Sequence, residues 1–391
     1  MRKTSNFTHQ RKLSIANRRI KSRLKKRYHN ALQSGNAEEI LVVRMRLLKH
    51  PNKPPKINTI AYKSAILHAK KSKRVPVKMP RVINYYNEKH FENLSSCLDK
   101  IRRHIKNNCK VFLDFSETEK ITAAAMLSLL SEVDQHTRLS PHGYNSISFN
   151  HPKNEKIESI LKQVGFYDLL RKKKRETKEF DDVVFWRYTS GVCSEPFLAQ
   201  DTIQAIQKEL EMKASKKLYR GFSEAMANSV EHAYASNRCL DKIDVNTATE
   251  KWWCFAGIKD EKLILVICDK GVGIPNTLPK TQAGLLQKIF EGLGIKTRTD
   301  SAFIKAASNL RETRTGLANR GKGIHDMKAV IDAHESGLLT IFSNRGYYGY
   351  TGNSGKIADF VIDYKHSVRG TIIEWSLPLK DKESTMLEGA V

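Results

Sequence analysis

Along residues 199–379, helix signals come first and strand signals last, and this order restricts the fold of the 391-residue chain more than any other feature. A polar helix is expected at about 199–213 and a second at about 215–236. The apolar stretch "KWWCFAGIKDEKLILVICD" then reads as two strands turning at Lys259–Glu261, and "GLLTIFS", "ADFVIDY" and "GTIIEWSLPL" (370–379) as three more. Strands that follow one another without helical crossovers favour antiparallel pairing. The segment 185–380 therefore predicts an α+β domain, a mixed or antiparallel sheet with helices on one face.

Upstream the pattern differs. "CKVFLDFSE" (109–117) reads as a buried strand, "TAAAMLSLLSEVDQH" as a helix, "SISFNHP" (146–152) as a strand and "NEKIESILKQVGFYDLL" (154–170) as a helix. Strand, helix, strand, helix predicts a small α/β domain over 82–175. The charge run "RKKKRETKEFDD" (171–182) reads as a solvated linker or helix face that closes it, and 381–391 is a tail.

Residues 1–81 hold 23 of the 68 Lys and Arg but only two acids, Glu38 and Glu39, a net of +21 within the chain's +27. Leu13, Ala16, Ile20, Leu24, Tyr28 and Leu32 recur there at helical spacing among cations, so a basic helical arm is expected. Such an arm suits phosphate backbones, with binding that weakens as salt rises; an acidic protein face is the alternative partner. The six cysteines form no CxxC pair, which argues against a zinc site or a disulfide framework. No apolar run of membrane length or signal-peptide pattern is present, so a cytoplasmic protein without integral membrane association is expected.

"LDFSETEKITAAAML" resembles the STAS fold of anti-anti-sigma factors, in which a strand ending in a similar sequence leads to a helix opening with a phosphorylatable serine. Ala123, Ala124 and Ala125 occupy that serine segment here, so the resemblance implies the fold and a docking role without the phosphoacceptor. Thr122, just before the alanines, is a substitute acceptor or a helix cap.

The second resemblance is to the GHKL superfamily of gyrase-type topoisomerases, chaperone and mismatch-repair ATPases, histidine kinases and anti-sigma serine kinases. It rests on "SEAMANSVEHAY", "DKGVGIP", "NRGKGIHDM" and "GTIIEWSLPL" in that order, and the first motif is most similar to the anti-sigma kinases. It implies ATP and Mg²⁺ as cofactors. Asp269 would accept a hydrogen bond from the adenine amine, and Gly271 and Gly273 would let backbone approach the base. Gly321, Lys322 and Gly323 would open a helix whose free N–H groups face phosphate. Asn228 would supply an oxygen to Mg²⁺, and Glu224 would take a proton from the attacking water or hydroxyl. His232 would be structural or linked to the lid, and Thr371 would lie near the nucleotide. Residues 276–318 would form the lid, with Arg298, Arg311 and Arg314 as alternative phosphate contacts.

These features support an ATP-binding regulatory protein with slow hydrolysis or serine/threonine kinase activity toward a protein partner. Two alternatives stay open: a nucleic-acid-associated ATP switch working through residues 1–81, and a non-catalytic scaffold. An oligomer is compatible with any of them. Histidine autokinase activity is not expected, because "EKHFENLSS" around His90 lacks the flanking pattern of a phosphoacceptor box. Strand passage is not expected either, because no gyrase-type transducer segment is recognised.

Overall fold

A computed structural model describes residues 74–140, 142–194, 212–234, 250–310 and 323–379, with the single positions 22, 199, 202, 204 and 206. The chain divides into two compact units, 1–62 with 238–247 and 63–237 with 248–391. Apart from Ser22, all described residues belong to the second. Apart from Ser22, the amphipathic helix expected at 13–32 lies outside the described residues, as do the lid arginines Arg311 and Arg314, the motif residues Gly321 and Lys322 and the tail at 381–391.

The first half of that unit consists of β1 (Arg74–Lys78), β2 (Val82–Ile83), α1 (Glu88–Lys106), β3 (Lys110–Asp114), β4 (Lys120–Ile121), α2 (Ala123–Leu139), β5 (Ile147–Phe149), α3 (Glu155–Gln163) and α4 (Phe166–Leu169). β1, β3 and β5 form a parallel three-stranded sheet, so the small α/β layer begins at Arg74, ahead of the boundary read at residue 82. α1 is set by its sequence: the Asn87 side chain accepts the His90 N–H as N-cap, Glu88 opens the helix, and Arg103, His104 and Lys106 close it. Its Phe91, Leu94, Leu98, Ile101 and Ile105 form the buried stripe.

The second half adds β6 (Val183–Phe185), β7 (Thr189–Gly191), α5 (Met212–Glu231), β8 (Trp252–Lys259), β9 (Lys262–Asp269), α6 (Ile274–Thr281), α7 (Ala283–Gly292), α8 (Asp300–Ser308), α9 (Gly323–His334), β10 (Gly337–Ser343), β11 (Gly346–Asn353), β12 (Lys356–Asp363) and β13 (Thr371–Pro378). An eight-stranded sheet runs β12-β11-β10-β13-β9-β8-β6, with β7 also paired to β8, and every pairing is antiparallel. β8 and β9 join through Asp260 and Glu261, both at positive φ, the two-residue turn whose twist matches that of the strands.

Both faces of this sheet are covered, which corrects the expectation of helices on one face. Along β9, Leu263, Leu265 and Ile267 pack toward α5 and α9, whereas Val266 and Cys268 join the core that contains α2. With no wet face, the central strands carry continuous apolar runs in place of the alternation usual for antiparallel sheets. α2 is correspondingly buried nearly all round, and the segments drawn as separate domains share one hydrophobic core from Val77 to Ile372.

Charges line the α2 side. Lys270 Nζ lies 3.3 Å from Glu132, which also pairs with Arg102 at 2.5 Å. Asp134 meets Lys251 Nζ at 3.0 Å, Arg138 Nε at 2.7 Å and Trp253 Nε1 at 2.9 Å. Burial alone would raise both carboxyls, yet these cations hold each below its ordinary range. At the start of α2, the Ala124 N–H donates to Glu374 Oε2 of β13 at 2.9 Å. The Thr122 hydroxyl does not cap the helix; it donates to Ile83 O at 3.5 Å.

The charge run at 171–182 is neither a helix nor a free linker. The Arg175 guanidinium is forked on the buried Glu158, and Lys172 Nζ donates to Phe149 O at 2.8 Å. Its cations are zipped onto the α/β layer because Glu158 and a strand-end carbonyl offer buried acceptors.

Candidate functional site

Leu218, Phe222, Ala225 and Met226 fix α5 against the sheet. That docking leaves Glu224 and Asn228, one turn apart, in a half-buried row beside the apolar stripe. The helix ends at Glu231, earlier than the expected residue 236. The chain turns away there because the Val272 N–H takes Ala233 O at 2.8 Å, while the Tyr234 hydroxyl donates to Lys251 O at 2.6 Å and accepts the Lys270 N–H at 3.0 Å. His232 is thus an exposed residue of the turn, its N–H bonded to Asn228 O at 3.0 Å.

Asp269 ends β9 on the face toward α5. Its Oδ1 accepts the Gly271 N–H at 2.9 Å and its Oδ2 accepts the Ser229 hydroxyl at 3.3 Å. Burial pushes its carboxyl up to about 6, against partial compensation from the Gly271 and Thr371 N–H groups and Ser229. A carboxylate has roughly four lone-pair positions, so these three donors leave it able to accept one more.

The glycines have reasons inside the fold. A β-carbon at Gly271 would collide with the Ala233 carbonyl, and Gly273 sits at φ +83° with Asn344 Nδ2 2.7 Å from where a β-carbon would be. Asn344 Nδ2 donates to Val272 O at 2.9 Å, and Ser343 Oγ accepts the Ile274 N–H at 2.8 Å, so the 271–274 turn is clamped from β10. Thr371 Oγ1 lies 3.0 Å from Ser343 Oγ, which brings the last motif to the same clamp. At the start of α9, a β-carbon on Gly323 would come 2.9 Å from Asn228 Nδ2.

Asp326, one turn into α9, lies beside α5. Its Oδ2 is 3.0 Å from Arg220 Nε, in a geometry that is not a hydrogen bond. Burial, and then the neighbouring Asp326, push the Glu224 carboxyl up. Arg298 is engaged on α7, with Nη2 bonded to Gln287 at 2.6 Å and its guanidinium over Phe290.

Of the expected residues, Glu224, Asn228, Asp269, Gly271, Gly273, Gly323 and Thr371 gather where α5, the 269–274 turn, α9 and the start of β13 meet. Sequence reasoning did not single out Ser229, Ser343, Asn344, Asp326 or Arg220. Ser229 had a signal, since it follows Asn228 on a helix and so turns toward the sheet. No family model matches the chain, and no curated protein matches it.

Proposed function

We propose that residues 185–380 form a GHKL-type Mg-ATP-binding module of a regulatory protein, preceded by a STAS-like layer. The observation that carries this reading is the convergence of three motifs far apart in sequence: Ser229 bonded to Asp269, Ala233 to Val272, and the Asn228 amide against Gly323. A buried carboxylate with a spare lone pair fits an amine donor such as the adenine edge, and a half-buried amide beside a helix start fits a metal–phosphate group. Asp269 would hold the base, and Asn228 the Mg²⁺. When bound, Mg-ATP supplies a transferable phosphoryl group whose charge the ion partly neutralises. Glu224, with its raised carboxyl, is suited to hold a proton taken from the attacking hydroxyl. The parallel β1-β3-β5 layer with α2 following β3 supports the STAS-like reading, in which Ala124 presents its N–H to Glu374 in place of a modified serine.

Calorimetric titration of the full chain with Mg-ATP is expected to give saturable binding that Asn228→Ala abolishes or weakens at least about tenfold, the loss of a bond worth roughly 1.4 kcal/mol. Absence of Mg-dependent binding sinks the reading. Where turnover is measurable, Glu224→Gln is expected to slow it by about 10²–10⁴-fold, and equal rates would leave a binding scaffold.

The concentration of 23 cations in residues 1–81 favours a second, compatible role in nucleic-acid binding. It predicts affinity that falls steeply with salt and is lost on removing 1–81, and salt-insensitive binding would count against it.

A further inference from the structure

The two edges of the eight-stranded sheet are built differently. One is the broken pair β6 and β7, each of three residues. The other is β12, eight residues long and, among the described residues, hydrogen-bonded on one side only, to β11. Ile357, Phe360, Val361 and Ile362 of β12 are 41–44% exposed. A long apolar edge with unpaired N–H and C=O groups is a template for a further strand, and proteins that keep such an edge free break it with bulges, proline or inward-facing charge. β12 contains no proline, and its register with β11 is unbroken from Asn353↔Lys356 to Gly346↔Asp363. Its inner acids are already engaged: Asp359 with Lys305 and the Tyr348 hydroxyl, Asp363 with the Ser301 N–H and hydroxyl.

We propose that β12 pairs antiparallel with β12 of a second copy of this chain, across a two-fold axis at Phe360.

The ladder direction follows from one bond. The Tyr364 N–H donates to Arg345 O, so with period two the even residues of β12 face β11, and Ile357, Asp359, Val361 and Asp363 point their main-chain groups outward. A two-fold axis normal to the sheet requires opposed residues to share a face, so it must pass through a residue and not between two. Centred on Asp359, the pairing sets that acid against itself; centred on Val361, it opposes Asp359 and Asp363. Centred on Phe360, it opposes Asp359 to Val361 and Ile357 to Asp363, with no like charges meeting. That register forms about eight main-chain hydrogen bonds from four outward pairs. On the other face it stacks Phe360 on its twin and Ala358 on Ile362. Centred on Ala358 or Ile362, only two outward pairs fall within β12, so ladder length, the absence of opposed acids and apolar self-matching together select a second copy in this one register.

Light scattering on the full chain is expected to give twice the 44.6 kDa chain mass at micromolar concentration. Val361→Pro removes an outward N–H without touching the β11 ladder, and is expected to return the mass to that of one chain. Val361→Asp keeps every main-chain bond of the strand but sets like charges against Asp359 of the second copy, and is expected to do the same, which covers a proline variant that does not fold. Phe360→Cys places two thiols across a non-hydrogen-bonded pair at about 4.5 Å between Cα atoms, within disulfide reach, so mild oxidation is expected to cross-link it. Ala358→Cys, opposed to Ile362, is expected not to cross-link. A monomeric wild type, a dimer that survives both Val361 variants, or cross-linking of Ala358→Cys equal to that of Phe360→Cys would overturn the proposal.

Discussion

On the α2 face of the sheet, Glu132 and Asp134 each meet two cations and sit below the ordinary carboxyl range. On the α5 face, Asp269 is as deeply buried but meets a hydroxyl and N–H groups, no ion pair reaches it among the described residues, and its carboxyl is pushed up to about 6. The contrast separates two uses of a buried acid. A neutralised acid fixes the docking of one element on another. An acid left without a cation holds unspent hydrogen-bonding capacity, the condition under which perturbed groups mark binding sites.

The largest effect is expected where the docking acids lose their role. Asp134→Ala leaves Lys251 buried without its carboxylate and Trp253 Nε1 without its acceptor. An uncompensated buried charge costs about 3–5 kcal/mol, which urea unfolding would show directly. Replacing both partners, as in Lys251→Met with Asp134→Leu, is expected to recover most of that loss. A single variant as stable as the wild type would erase the distinction between the faces.

Glu374 cuts across the comparison, because it lies on the α2 face with no ion pair among the described residues. Burial pushes its carboxyl up to about 7, while the Tyr86 hydroxyl and Ala124 N–H pull down. The ordinary value is 4.5, so between pH 4.5 and about 7 the unfolded chain ionises this group while the folded chain keeps the proton. Stability contributed by the protonated form is full below 4.5 and declines as pH rises through that window. At about 1.4 kcal/mol per pKa unit the total is of order 3 kcal/mol. Glu374→Gln is expected to match the wild type near pH 4.5 and to exceed it by up to about that amount at pH 8 in urea unfolding. Equal curves at both pH values would place the carboxylate among the neutralised acids.

Asp269 obeys the same sign over a narrower window, from 3.8 to about 6. Asp269→Asn is expected to gain somewhat less stability at pH 8 than Glu374→Gln, and to lose Mg-ATP affinity by about 10–100-fold in calorimetry, the range of one charge-assisted hydrogen bond. Only the α5-face variant should trade stability against ligand. If Glu374→Gln weakened ATP binding equally, the two faces would not be separable in function.

The sequence made local features legible and long-range ones obscure. The β8–β9 hairpin, β10 and β13 stood out because their apolar runs are bounded by Asp-Glu or glycine turns. The Phe91–Ile105 stripe of α1 is a legible helical pattern absent from the expectations above, whereas β11 is obscure because "GYYGYTGN" mixes glycine with aromatics whose burial depends on neighbours from elsewhere. The site motifs lie as neighbours in the fold, and Gly271, Gly273 and Gly323 each have a reason inside it, because Ala233, Asn344 and Asn228 occupy the space beside them. No local pattern reports that α2 would cover the second face, since Glu132 and Asp134 find Lys270 and Lys251 more than a hundred residues away.

The smallest expected effect tests whether burial, and not proximity, divides the charges of this molecule. Lys78 and Glu117 are 2.6 Å apart, closer than Lys251 and Asp134 at 3.0 Å, but their side chains are about 60% exposed against 9% and 1% for the buried pair. In water the attraction is screened and two long side chains are ordered for little return, so an exposed pair contributes about 0–1 kcal/mol. Glu117→Ala is therefore expected to shift urea stability by less than about 0.5 kcal/mol, and that shift should vanish in about 1 M salt, where screening acts within roughly 3 Å. The Asp134→Ala deficit should persist under the same salt, because solvent ions do not reach a pair sealed between α2 and the sheet. If the two variants instead cost alike, the distance between charges would set their worth, and the contrast between the faces would reduce to a count of ion pairs.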